Sequence, residues 1–169
     1  MAYTLRDSLV AAIKGHADVV RDIASENAQL FRKADENQLT AAYLAVQNGH
    51  SDCLKIIAEV APESIGKPDG DGETPAYMAA LNGHPDCLKI IGEVAPDSIR
   101  KPKDDGVTPA QVAAKNGHSA CLKVIAEVAP ESIGKPEGNG VPPASLEALI
   151  GKPKIEKRKK WWQIWKKHS

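Results

Sequence analysis

The feature that most constrains this chain is a fixed interval of 34 residues. Cys53, Cys87 and Cys121 are spaced by it, and so are Asn48-Gly49-His50, Asn82-Gly83-His84 and Asn116-Gly117-His118. Thr40, Thr74 and Thr108 keep the same spacing, as do Pro62, Pro96 and Pro130. One period back, Lys14-Gly15-His16 falls in register; one period forward, Val141-Pro142-Pro143-Ala144 matches Val107-Thr108-Pro109-Ala110. A period of this length marks a solenoid, in which one supersecondary unit buries its apolar face against copies of itself.

The contents of one unit are readable. Thr74 suits an N-cap, and Pro75 suits the first helical position, where its missing N–H costs nothing. A short helix over Ala76–Leu81 follows, ended by Asn82-Gly83, which tolerate positive φ. A second helix is expected from His84-Pro85-Asp86, with the acid favoured by the helix dipole. Its buried stripe is read as Cys87, Ile90 or Ile91, and Val94, at helical spacing. Pro96 stops it. Ser98–Gly106, rich in Pro, Asp, Lys and Gly, reads as a turn or finger.

These residues resemble the ankyrin repeat. Thr74-Pro75-Ala76-Tyr77-Met78-Ala79-Ala80, Asn82-Gly83-His84 and Cys87-Leu88-Lys89-Ile90-Ile91 follow the family pattern T-P-L-H-x-A-A, G-H and V-V-K-L-L. The resemblance spans roughly residues 4–150 and is most specific from Asn37 to Glu137. It departs in three ways: the period is one residue longer than the family's 33, Ala42, Ala76 and Ala110 replace leucine, and Tyr43, Tyr77 and Gln111 replace histidine. The surplus residue is placed near the Ala-Pro-Glu/Asp-Ser-Ile stretch after the second helix.

The expected architecture is therefore an all-α helix-turn-helix solenoid over residues 1–151. Its repeats are set at about 3–36, 37–70, 71–104 and 105–138, with a half-repeat at 139–151. At the front, Arg6-Asp7-Ser8 stands where later units have Thr-Pro, and Asp18, Arg21, Asp22 and Glu26 make the second helix more polar, as a cap requires.

Catalytic and metal chemistry find no support. Equivalent atoms in stacked repeats are about 8–10 Å apart, too far for disulfides or for a shared zinc ion. The cysteine column reads as small core hydrophobes. The His16, His50, His84 and His118 column has no consistent nucleophile or carboxylate beside it and reads as structural. Asp69-Gly70-Asp71-Gly72-Glu73 lacks the ligand order of a calcium loop, and Gly66-Lys67 and Gly134-Lys135 run into proline rather than Ser/Thr. No enzyme, cofactor or metal is expected.

The resemblance implies a binding surface instead. Its variable positions, carried over, place Leu44, Met78 and Val112, then Gln47, Leu81 and Lys115, on a concave strip of first helices. On the fingers they place Asn37, Leu39, Asp71, Glu73, Asp105 and Val107. Nothing inside one unit covers Leu44, Met78 and Val112, so an exposed apolar stripe rimmed by charge is expected there, the character of a protein-binding patch. The partner is an unidentified protein, and the module is expected to be a monomer.

The formal net charge of +0 conceals a division. Residues 152–169 hold eight Lys or Arg and one Glu, 8 − 1 = +7, and the other 151 residues hold 14 basic and 21 acidic groups, or −7. All three tryptophans, Trp161, Trp162 and Trp165, lie in that tail. At about 100° per residue, Ile155, Trp161, Trp162, Ile164 and Trp165 share one half of a helix, with Lys157 and Arg158 as exceptions, while Lys159, Lys160, Gln163, Lys166 and Lys167 take the other. Such a segment suits docking on the protein's own acidic stack, where its tryptophans would complete the half-repeat. It also suits an anionic membrane surface or another protein's groove. Lys157-Arg158-Lys159-Lys160 resembles a nuclear-import cluster; nucleic acid is disfavoured by the acidic body.

There is no apolar run long enough to span a membrane, and Met1-Ala2-Tyr3-Thr4-Leu5-Arg6-Asp7 is too polar for a secretory signal. A cytoplasmic, reducing setting with free thiols is the expectation.

Overall fold

Each of the three repeat threonines stands in extended backbone and accepts a hydrogen bond from the amide three residues on: Thr40 from Tyr43 (3.1 Å), Thr74 from Tyr77 (3.2 Å) and Thr108 from Gln111 (3.3 Å). This satisfies one of the orphan amides at a helix start. In the computed structural model, which describes residues 2–133, these caps open α3 (Ala41–Gln47), α5 (Pro75–Asn82) and α8 (Pro109–Lys115). Each is followed by a longer helix: α4 (Ser51–Val60), α6 (Pro85–Val94) and α9 (Ser119–Val128). The first pair is α1 (Leu5–Lys14) and α2 (Ala17–Asn27). The half-repeat at 139–151 and the tail at 152–169 lie outside the described residues.

The front cap differs from its reading. Thr4, not the Arg6 that the period places there, begins α1: its side chain accepts from the Asp7 amide, and the Asp7 carboxylate accepts from both the Thr4 amide (2.8 Å) and hydroxyl (2.7 Å). Those bonds hold the Asp7 carboxyl below the usual carboxylate range. The capping box Thr4-x-x-Asp7 was visible in the sequence, two residues out of register with the later caps.

The helices form two layers. α1, α3, α5 and α8 pack in succession as an inner layer, and α2, α4, α6 and α9 as an outer one. The only extended pairing among the described residues is a single antiparallel bridge between Ala34 and Thr40. The inner layer can lie close because its facing residues are alanines: Ala41, Ala42, Ala45, Ala76, Ala79, Ala80 and Ala113 are fully buried. The outer helices supply the bulk through Leu54, Ile57, Leu88, Ile91, Leu122 and Ile125. Each such side chain contributes about 1.5–3 kcal/mol when fully buried. The outer stripe is thus Cys87, Leu88 and Ile91; Val94 faces solvent at 36% exposure, and Ile90 is half-buried.

The segment after the outer helix is more ordered than a turn. α7 (Pro96–Arg100) is a full helical turn, with 3₁₀ turns in the equivalent places at Ala28–Arg32, Pro62–Ser64 and Pro130–Ser132. Each starts an apolar plug, so that Phe31, Ile65, Ile99 and Ile133, 34 residues apart, are all buried. Proline ends one helix and opens the next at its first position. The finger proper begins later than Ser98.

One column in this turn is imperfect. The Ser64 hydroxyl donates to the Ala61 carbonyl at 2.8 Å, whereas the buried Ser98 hydroxyl has no partner among the described residues. An unmade buried hydrogen bond costs its desolvation. Ser98→Ala is therefore expected to leave stability unchanged or raise it by up to about 1 kcal/mol, while Ser64→Ala lowers it by about 1 kcal/mol. Paired urea unfolding curves check this.

Repeat-to-repeat register comes from the glycine-histidine pair. Gly15, Gly49 and Gly83 sit at φ of 71°, 75° and 76°. A Cβ on each would strike the ring of the histidine one repeat later: His50 at 2.5 Å, His84 at 2.7 Å and His118 at 2.8 Å. His50 Nε2 lies 2.9 Å from the Ile13 carbonyl, and His118 Nε2 lies 3.0 Å from the Leu81 carbonyl. The histidines bridge neighbouring repeats at their inner-helix ends.

Candidate partner-binding surface

The fingers are built by aspartate side chains folding the chain onto itself. Asp35 Oδ1 accepts from the amides of Asn37 (2.9 Å) and Leu39 (2.8 Å), and Asp69 Oδ1 accepts from those of Asp71 (3.0 Å) and Glu73 (2.9 Å). Asparagine and aspartate favour such local turns. In the third finger Lys103 takes the equivalent place, and Asp105 Oδ1 accepts from the Val107 amide at 3.0 Å. Neighbouring fingers join where the Gly70 amide donates to the Asn37 carbonyl at 3.1 Å.

The tyrosines that replace the family's histidine tie each inner helix to the next finger. Tyr43 donates its hydroxyl to Asp69 Oδ2 at 2.8 Å, and burial together with this bond pushes its phenol pKa well up. One repeat on, Lys103 pairs with Glu73 at 2.6 Å and lies over the Tyr77 ring, 6.0 Å from its centre. Gln111 turns inward instead and completes a capping box, its Oε1 accepting from the Thr108 amide at 2.8 Å.

The carried-over binding positions fall into three groups. Gln47, Asp71, Asp105 and Lys115 are exposed, with Asn37. Glu73, Leu81 and Val107 are half-exposed, with Leu39, and Glu73 is held by Lys103. Leu44, Met78 and Val112 are buried, at 7%, 7% and 5% exposure, which corrects their expected apolar stripe: it belongs to the core.

The reason is visible in the same column one period back. Val10 occupies the first-repeat position and is 37% exposed; no inner helix among the described residues packs before α1. Leu44, Met78 and Val112 each have such a helix, and stacking covers them. Val10, with Ile13 at 43% exposure in the Gln47 column, is the exposed apolar surface of the inner helices. Subtracting one period from Leu44 and Gln47 identifies both residues. Glu36 and Asp104, exposed at the finger tips, were also outside the carried-over set.

A shallow groove of about 700 Å³ between α2 and α4 has a floor of Ala17, Ala24, Ile56 and Val60, flanked by Arg21, Lys55, Asp52 and Glu59. Among the described residues no group of His, Cys, Asp and Glu is placed to hold a metal ion. Cys53, Cys87 and Cys121 are free and buried, and burial pushes the Cys87 and Cys121 thiols up to about 12 and about 11. Thiols so held are poor nucleophiles at neutral pH. No described helix is long and apolar enough to cross a membrane.

Comparison with family models gives a match to ankyrin repeats (3 copies), over residues 8–98 and 60–136. A comparison with curated proteins gives no match.

Proposed function

Because the chain belongs to the ankyrin repeat family, whose general role is non-catalytic protein interaction, we propose that it presents its inner-helix face and finger tips as a rigid groove for one protein partner. The observation behind this is a division of labour among residues. On the inner helices, the threonines and alanines that recur every 34 positions are consumed inside the stack, while Gln47, Asp71 and Lys115 are exposed and their side chains make no hydrogen bond among the described residues. Their chemistry differs from repeat to repeat, as recognition of a particular partner requires. Glu73, Leu81, Asp105 and Val107 border them. The groove would be preformed, with little backbone rearrangement on binding. On this reading the protein works as a monomer in the cytoplasm.

The test is affinity capture from lysate with the intact chain and with a Gln47→Asp, Asp71→Lys, Lys115→Glu variant. Central recognition residues cost about 1–2 kcal/mol each, roughly tenfold or more in affinity. Specific capture is expected to vanish in the variant while its melting temperature stays near that of the parent. Equal capture by both proteins would remove the groove from the account.

A second reading, a peripheral membrane-associated adaptor anchored by residues 152–169, is supported by the tail's sequence. Arg158, Lys159 and Lys160 would meet anionic headgroups, and Trp161, Trp162 and Trp165 the interface beneath them. Co-sedimentation of the full chain with anionic vesicles, weakening as salt rises, is its expected result; no co-sedimentation at low salt would dismiss it.

A further inference from the structure

The net negative charge of the repeat body is heaviest in the fingers, each of which is preceded by a lysine: Lys33, Lys67 and Lys101. The three fingers, residues 34–39, 68–73 and 102–107, contain seven acids (Asp35, Glu36, Asp69, Asp71, Glu73, Asp104, Asp105) and one Lys103, or 1 − 7 = −6. The whole of residues 1–151 sums to −7. Eighteen finger residues thus carry nearly all the net charge opposing the +7 of the eighteen residues 152–169. The outer helices carry acids too, but Arg21, Lys55, Lys89 and Lys123 recur among them at the same 34-residue interval. The inner-helix layer also shows apolar side chains: Val10 and Ile13 are exposed on α1, and Leu39, Leu81 and Val107 are half-exposed where they pack against the core. Arg6, Lys14 and Lys115 are the basic groups of the inner helices, at their ends rather than at the finger tips.

We propose that residues 152–169 fold back onto this finger-tip and inner-helix face of the same chain, and occupy the groove until a partner displaces them. The inference rests on the groove reading above and adds its regulation. The basic side chains meet Glu36, Asp71, Asp104 and Asp105, and the tryptophans cover apolar side chains such as Val10 and Ile13. A buried tryptophan removes about 150–250 Å² from water, which makes the contact more than electrostatic. The tether is long enough. Residues 134–151 span at most about 60 Å when extended, whereas four inner helices packed at about 10 Å intervals extend over roughly 30 Å. Tethering also gives the tail an effective concentration in the millimolar range, which favours its own groove over a second copy's.

Since all three tryptophans lie in the tail, tryptophan emission excited selectively, beyond tyrosine absorption, reports on this segment alone. Docking predicts blue-shifted emission at low salt, poor quenching by acrylamide, and no change on dilution. Glu36→Lys, Asp71→Lys and Asp104→Lys together should shift the emission red and raise quenching severalfold. Glu59→Lys, Glu93→Lys and Glu127→Lys, the same charge change on exposed outer-helix positions, should leave both as they were. Reversing Lys159 and Lys160 to Glu in the parent chain provides the reciprocal release, without touching the stack. Solvent-like emission in the parent overturns the proposal. So does an equal response to the two acidic-site triples, or a blue shift that grows with protein concentration, which would place the tail on another copy. The capture experiment reads the groove independently, so a groove that binds a partner beside solvent-exposed tryptophans would sink this inference alone.

Discussion

Met78→Asp is expected to lower unfolding stability by about 4 kcal/mol, since a carboxylate placed at a 7% exposed site has neither water nor a partner. Met78 lies in α5, which packs against α3 on one side and α8 on the other. Damage there weakens two interfaces at once, and in a stack stabilised by nearest neighbours that affects the cooperativity of the whole. Lys115→Asp, exposed at the end of α8, should change stability by no more than about 0.5 kcal/mol. Urea unfolding followed by circular dichroism distinguishes the pair. A Met78→Asp protein as stable as the parent would return this column to the surface. The consequence for function is direct: acidic substitutions along Leu44, Met78 and Val112 test folding, and the groove must be probed through Gln47, Asp71 and Lys115.

The second large effect is expected at Gly49. Its φ of 75° costs a residue with a Cβ about 1–2 kcal/mol. That Cβ would also stand 2.7 Å from the His84 ring, which must move away from its place beneath the preceding repeat. Gly49→Ala is therefore expected to cost about 3 kcal/mol in all. In a His84→Ala background the same change should cost only the backbone share, about 1–2 kcal/mol. A double-mutant cycle on melting or denaturant midpoints provides the check. Equal costs in both backgrounds would show that the ring contact contributes nothing.

Much of this fold was legible because each local signal has a nearby cause. Thr74 caps α5 through an amide three residues away, and Asn82-Gly83 ends it by allowing a left-handed residue. The cysteines are core thiols, and the histidines sit at fixed structural positions. What was less legible depends on contacts with the next unit. Tyr43 reaches Asp69, 26 residues on, and His118 reaches the Leu81 carbonyl, 37 residues back. No pattern within one repeat announces either bond. α7 was hidden for another reason: proline, aspartate and serine favour turns as readily as helix starts, and only the burial of Ile99 decides between them.

By itself the sequence determined the repeat length, the helix-turn-helix unit, its caps, and the separation of an acidic stack from a basic tryptophan-rich tail. Those follow from spacing and local stereochemistry, which act within a turn or two of the chain. Only the tertiary structure decided which side chains face out. Exposure at a repeat position depends on whether another repeat lies against it, so Val10 is presented at 37% while Leu44, one period later, is closed at 7%.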